Sequence, residues 1–301
     1  MKREYREKVA LLIGTIPFVA KETGFALKGG TAINLFYRNM PRLSIDIDLT
    51  YIENDEREIA YQRIHEALYR IASDLRRYDF SVTIQGSNAE KKIIVSNGTA
   101  SIKVEPNYTI RGCLYPPSVY GVCEKAEREY GYAEMQIISL PELVGGKMCA
   151  ALDRQHPRDL FDINGFLNDS ERNESIIKGF IAMLLSHNRP IHELLNPQEK
   201  DRSEVLQKEF AGMTDTKFSI QDHSRSLRAL VQFIQNGIHP YKQFLLDFVS
   251  LKTDFSQLES PGIERLPAIR WKLRNLEILR ERNPVKFDEQ YRALEELFSG
   301  L

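Results

Sequence analysis

Residues 44 to 50, Ser44-Ile45-Asp46-Ile47-Asp48-Leu49-Thr50, alternate polar and apolar positions. A period of two predicts a strand with one wet face and one buried face, spanning about 44–52. Upstream, the short apolar run Phe25-Ala26-Leu27 predicts a strand over 25–28 that runs into Gly29-Gly30, and Thr31 to Tyr37 reads as helical. Helix-spaced apolar stripes predict two more helices. Val9, Leu12, Ile13, Ile16 and Val19 mark one over 3–22, and Ile59, Ile64, Leu68, Ile71 and Leu75 mark the other over 55–77. Phe80 to Gln85 alternates like a strand. Lys92–Ser96 and Ala100–Glu105 flank Asn97-Gly98, a strong hairpin signal.

Residues 108–130 carry no period and read as irregular, and Glu134–Ile138 reads as a strand. Pro141 opens a helix that reaches about Asp153, and a second helix runs from Pro157 to Leu167. From about 170 onward the pattern is helical. Ile176, Ile177, Phe180, Ile181, Leu184 and Leu185 are core positions, and Ser219 to Gln235 with Gly237 after it reads as a capped helix. Two further helices are predicted near 266–282 and 287–299, with polar breaks near 196–203, 212–217 and 252–262. There is no internal repeat. The class is therefore α+β, with a mixed-sheet domain over 1–170, a helical domain over 171–301, and a boundary near 168–175.

At 301 residues the chain can bury a large core. Lys and Arg total 41 against 42 Asp and Glu, so no global field draws the protein to nucleic acid. Any RNA contact must come from a local patch. Cys113, Cys123 and Cys149 form no paired framework, which points to a reducing, cytoplasmic setting. The N-terminal apolar run is short and interrupted by Pro17, and it reads as an amphipathic helix rather than a signal peptide. No stretch approaches a membrane span, so no membrane partner is expected. The six histidines show no metal-ligand spacing.

The candidate chemistry lies where the first two strands meet. On a strand, Asp46 and Asp48 point the same way, about 7 Å apart along it. Two carboxylates on one face repel each other unless a cation sits between them, and a hard divalent metal such as Mg²⁺ is the simplest resolution. A strand that ends in Gly-Gly and enters a helix exposes backbone N–H groups that can cradle phosphate. One stretch thus offers an anion cradle beside a cation site, which is what a metal–nucleoside triphosphate needs.

The Gly-Gly-Thr followed by Asp-Ile-Asp resembles the first motif of the polymerase-β-like nucleotidyltransferase superfamily. The fuller pattern KGGTA-N-LF-R---R-S-DIDL resembles the AbiEii/AbiGii toxins of abortive-infection and toxin–antitoxin systems, a family that includes the mycobacterial MenT toxins. The later block PELVGGKMCAALDRQHPRDLFDI is similar to that family's further motifs, a lysine in a helix and then R-D-L-x-D.

The resemblance implies an N-terminal polymerase-β-like domain and a metal-dependent transfer of NMP from an NTP to RNA. It points to the tRNA 3′ acceptor end, whose blocking stops translation, and to a cognate antitoxin as partner. It makes Glu105 the third ligand to Mg²⁺ (or Mn²⁺) beside Asp46 and Asp48. Lys28, Gly29, Gly30, Thr31, Arg42, Ser44 and Arg158 become nucleotide-binding positions. Lys147, a flexible point charge suited to the β- or γ-phosphate, becomes a catalytic position together with Asp159 and Asp162. Phosphate added to Ser44 would place up to about two negative charges beside the triphosphate, a route to regulation.

A basic stretch in the helical domain, Arg270, Arg274, Arg280 and Arg282, offers a wall for RNA, although a solvated helix face would read the same way. Transfer to a small molecule or protein is a second reading, and a non-catalytic nucleotide-binding module for phage defence is a third. Intact carboxylates and Lys147 disfavour the third, because binding alone tolerates their loss.

Overall fold

In the computed structural model, the described residues are all those except 88, 168–173, 261 and 301. They form an α+β fold that divides into two compact units. One comprises Met1–Ser139 with Gln207–Lys217, and the other Leu140–Leu206 with Phe218–Leu301. The boundary expected near 168–175 falls largely on 168–173, outside the described residues.

The first unit is built on a mixed seven-stranded sheet. Its strands are β1 (Phe25–Lys28), β2 (Asp46–Tyr51), β3 (Ser81–Gly86), β4 (Lys91–Ser96), β5 (Ser101–Asn107), β6 (Ser118–Gly121) and β7 (Glu134–Ile137), arranged β3-β4-β5-β2-β1-β7-β6. β2 lies near the middle, antiparallel to β1 and parallel to β5. The alternation read from the sequence is the alternation observed: Ile47 and Leu49 are fully buried while Asp46 and Asp48 stay partly exposed. β5 alternates in the same way, burying Ile102 and Val104 and leaving Lys103 and Glu105 on the wetter face. The β4–β5 hairpin turns where expected. Gly98 adopts φ +89°, and the Asn97 side chain accepts from the backbone N–H groups of Thr99 and Ala100.

Helices α1 (Arg3–Val19) and α3 (Arg57–Arg76) bury their predicted stripes, Val9, Leu12, Ile13, Ile16 and Val19 on α1, and Ile64, Leu68, Ile71 and Leu75 on α3. Ile59 is the exception, at 49 % exposure. Between β1 and β2 the chain makes one continuous helical stretch, α2 (Gly29–Ala32) followed by a wider π-helical segment, Ile33–Tyr37.

The region expected to be irregular holds two elements, β6 and the helix α4 (Glu124–Tyr130). β6 is an edge strand whose Ser118, Val119 and Tyr120 are all exposed, so nothing imposes an apolar alternation on it. α4 has seven residues and buries only Ala126, too little to show a helical period.

The second unit is helical: α5 (Leu140–Arg154), α6 (Pro157–Leu167), α7 (Glu174–Ser186), α8 (Ile191–Leu195), α9 (Ser203–Val205), α10 (Ile220–Ile238), α11 (Lys242–Val249), α12 (Pro267–Arg282) and α13 (Pro284–Ser299). The apolar α7, with Phe180, Ile181, Leu184 and Leu185 fully buried, is its core. α5 approaches it closely because Gly145 lies against Gly179, where an added Cβ would stand 2.6 Å from backbone atoms. Ser219 caps α10 in a reciprocal box with Asp222. Gly237 does not follow the helix but lies inside it, and its missing Cβ leaves room for Ile177 of α7, whose Cδ1 would be 2.2 Å away. Among the described residues, no helix is long and apolar enough to cross a membrane.

Candidate active site

In the first unit the candidate residues converge where β1 ends and β2 begins. Lys28 is the register partner of Asp48 across the β1–β2 pair. Gly29 then turns the chain with φ +75°, a left-handed conformation that side chains rarely adopt. The turn brings its Cα against the strand, and a Cβ there would stand 2.6 Å from Asp48 Oδ2. Gly30 is small for a different reason. A Cβ there would lie 2.6 Å from Arg42 Nη2 and 3.0 Å from Ser44 Oγ. The glycines therefore let backbone, guanidinium and carboxylate share a space that larger residues would fill.

Hydrogen bonds fix this arrangement. The buried Thr31 hydroxyl donates to the Asp46 carbonyl at 2.5 Å and lies 3.0 Å from the Ser44 hydroxyl. Asn34 Nδ2 donates to the Gly30 carbonyl at 2.9 Å. Arg42, only 2 % exposed, donates through Nη1 to its neighbour's carbonyl, Leu43 O, at 2.9 Å. Burial pulls the Lys28 ammonium below the ordinary lysine range, and the nearby Asp48 carboxylate works in the opposite direction.

Glu105 sits on β5 as the register partner of Asp48, and Lys103 as that of Asp46. Paired residues on neighbouring strands share a face, so Asp46, Asp48 and Glu105 lie on one side of the sheet. Glu105 accepts from Lys92 Nζ at 2.9 Å. Among the described residues, no three Asp, Glu, His or Cys side chains are gathered closely enough to hold a metal ion. The donor chemistry nonetheless fits a hard divalent cation: partly exposed carboxylates on a rigid strand, with Asp48 beside the glycine turn.

In the second unit, Lys147, Asp159 and Asp162 come together. Lys147 Nζ donates to Asp159 Oδ1 at 2.9 Å and stands 3.3 Å from Asp162 Oδ2. The three are 7 %, 1 % and 4 % exposed, so Lys147 is not a surface lysine. Burial by itself would raise Asp159, but Lys147 and then Arg154 outweigh it and hold the carboxyl well below the usual range. Arg154 donates through Nε at 2.6 Å and Nη2 at 3.1 Å. The ion pair that spacing offers between Arg158 and Asp162 does not form among the described residues, since Asp162 turns to Lys147.

Sequence reasoning gave no role to Arg154, Asn34 or Lys92. Arg154 carried a readable signal, a cation closing α5 just before the R-D-L-x-D helix, and Asn34 is the N of the quoted KGGTA-N-LF pattern. Lys92 carried none, because its partner is set by strand pairing.

Comparison with known proteins decides the family. The sequence profile described as nucleotidyl transferase AbiEii toxin, type IV TA system, matches residues 10–275. The chain belongs to the AbiEii family. These are nucleotidyltransferase toxins of type IV toxin–antitoxin systems, so the enzyme class and toxin role expected from the motifs hold at that level. Among solved structures the chain is similar to MenT4, a nucleotidyltransferase toxin from Mycobacterium tuberculosis H37Rv. The identity is 14 %, the TM-score 0.57, and the match covers 92 % of this chain and 95 % of that one. At that identity the likeness speaks for the fold alone, and it agrees with the expected mixed sheet flanked by helices and followed by a helical region. No curated protein matches the chain.

Proposed function

We propose that this AbiEii-family protein transfers NMP from an NTP to RNA, at the 3′ acceptor end of tRNA, and that it needs Mg²⁺ (or Mn²⁺). The observation that supports the reading is the closeness of the Gly29 turn to the Asp48 carboxylate, the arrangement expected of an anion cradle beside a cation ligand. In this reading Asp46 and Asp48 hold the metal, with Glu105 as the third ligand once it leaves Lys92. The metal's contribution is to neutralise the phosphates and the leaving pyrophosphate.

The chain's own residues do the rest. Backbone N–H groups of Gly29 and Gly30, with Lys28 and Arg42, bind and orient the triphosphate, while Ser44 and Thr31, whose hydroxyl donates to the Asp46 carbonyl, keep the turn rigid. The carboxylate nearest the incoming hydroxyl takes its proton. Lys147 supplies a fixed positive charge for the β- or γ-phosphate. Asp159, with Asp162, orients that ammonium, and Arg158 contacts the nucleotide. Outside the turn, Arg270, Trp271 and Arg274 are exposed on α12, Trp271 to 48 %. A basic and aromatic helix face suits RNA backbone and bases. Translation would stop once acceptor ends are capped, and a cognate cytoplasmic antitoxin would counter this.

Incubating the protein with each labelled nucleoside triphosphate, total RNA and Mg²⁺ tests the reading. Label on tRNA that is lost with chelator supports it. Label on protein or small molecules would replace the substrate, and no label with any triphosphate would remove the transfer reading.

A further inference from the structure

The opposite end of β2 carries a cation that the transfer reading does not use. Arg111 follows β5 in a loop tied to the sheet by the Gly112 N–H, which donates to the Tyr51 carbonyl at 2.8 Å. Arg111 is only 6 % exposed. Its Nε has no hydrogen-bond partner among the described residues, and its one side-chain bond is a long one, Nη1 to the Asp55 carbonyl at 3.4 Å. No carboxylate among the described residues lies within ion-pair distance of it. Asp55, the nearest candidate, is already taken by the Tyr51 hydroxyl at 2.5 Å and Arg63 at 2.8 Å. A buried charge with so little compensation is expensive.

The surroundings add donors. Asp55 stands two residues before α3, a 20-residue helix whose N-cap, Glu56, gives no side-chain cap. The first N–H groups of such a helix, with its dipole, favour an anion. Arg57, the first residue of α3, is exposed and stacks on Tyr61 at 5.1 Å, and Arg111 approaches the same ring at 5.7 Å. Two guanidiniums beside one tyrosine repel each other unless something negative lies between or against them. Glu58 and Glu90 reach Arg57 only as weaker, more distant charges. Burial pulls the Arg111 guanidinium below the ordinary arginine range, and Arg57 adds to that cost.

We propose that Arg111, Arg57 and the N-terminus of α3 form a phosphate-binding site on the first unit, separate from the Gly29–Asp48 turn. Phosphate fits the donor set because its oxygens can accept from two guanidiniums and from helix N–H groups together. The chemistry is that of a phosphate group, supplied either by an RNA backbone or by free phosphate. Asp48 and Tyr51 are three residues apart on β2, about 10 Å, so an RNA strand held here would pass near the proposed catalytic carboxylates without occupying them.

The test reads binding and not transfer, so its failure is distinct from failure of the proposed activity. Arginine-labelled protein is titrated with inorganic phosphate and, separately, with a single-stranded oligoribonucleotide bearing hydroxyls at both ends, at fixed ionic strength. The Nε–H signal of Arg111, assigned by its loss in Arg111→Lys, should shift in at least one titration. A shift with inorganic phosphate alone identifies free phosphate, and a shift with the oligonucleotide identifies a backbone phosphate. Arg57→Ala removes an exposed side chain, so folding is not at stake, and it should weaken the same binding about tenfold or more. An Arg111 signal unmoved by both ligands, or wild-type affinity in Arg57→Ala, overturns the site.

Discussion

Replacing Gly29 with alanine separates the geometry of the turn from the stability of the fold. Gly29 adopts φ +75°, and alanine in that region costs about 1–2 kcal/mol. The larger effect is local. The new Cβ would stand 2.6 Å from Asp48 Oδ2. Comfortable contact begins near 3.5 Å, so the carboxylate must retreat by about 1 Å. A displacement of that size at a reacting centre can cost about 100-fold in rate. Gly29→Ala should therefore unfold at slightly lower urea concentration and lose transfer activity out of proportion. Gly237→Ala is the matched control. Its Cβ would meet Cδ1 and Cγ1 of the buried Ile177 at 2.2 and 2.7 Å, so it should lose about 1–3 kcal/mol of stability with transfer intact. The assay is label transfer from NTP to RNA per folded molecule, beside urea unfolding of both variants. Full activity in Gly29→Ala would refute the reasoning, because the turn would then not position Asp48 for anything.

Asp46→Ala and Asp48→Ala should each abolish transfer and growth inhibition with the circular dichroism spectrum unchanged; near-normal transfer with Mg²⁺ by either variant would remove the metal assignment. Lys147→Ala should cost roughly 100-fold or more in rate, and it should also destabilise, by less than the about 3–5 kcal/mol of a fully broken buried pair, because Asp159 and Asp162 lose the ammonium while Arg154 stays on Asp159. A stable, active alanine variant would make both expectations wrong. Asp159 is held below the usual carboxylate range in the folded state, so the stability it contributes is fully present above its unfolded pKa, about 4, and is lost as pH falls through the lower folded value. Urea midpoints measured downward from about pH 5 should drop more steeply for wild type than for Asp159→Asn; parallel curves would show that Asp159 is not held low. Reversing Arg270 and Arg274 to Glu should weaken tRNA binding and flatten its salt dependence, since fewer counterions are released; superimposed salt curves would return that helix face to plain solvation.

The fold was legible in the sequence wherever burial imposes a period. The α1 and α3 stripes and the β2 and β5 alternations each bury one face, so their sequences had to show it. β6 and α4 bury almost nothing and left no trace. The placing of β5 beside β2 was readable only through family resemblance, because parallel pairing joins segments that no local signal connects. By the same limit, Asp159 and Asp162 could be grouped with Lys147 only through the resemblance. Helical spacing offered Asp162 a neighbour in Arg158, and the unit's packing gave it a buried ammonium instead.

Glycine shows why local reading stops short of the site. Gly29, Gly30 and Gly237 are the same letter in the sequence. One is there for a left-handed φ, one to leave room for the Arg42 guanidinium, and one to let α10 pack on α7. Alanine at Gly29 strains the backbone and displaces a carboxylate. At Gly30 it must push a side chain that is 2 % exposed and has nowhere to go, while at Gly237 it meets Cδ1 and Cγ1 of Ile177 on α7. Three substitutions identical on paper thus act on conformation, on the buried guanidinium and on a helix contact, and only the first two reach the turn that is proposed to hold the triphosphate.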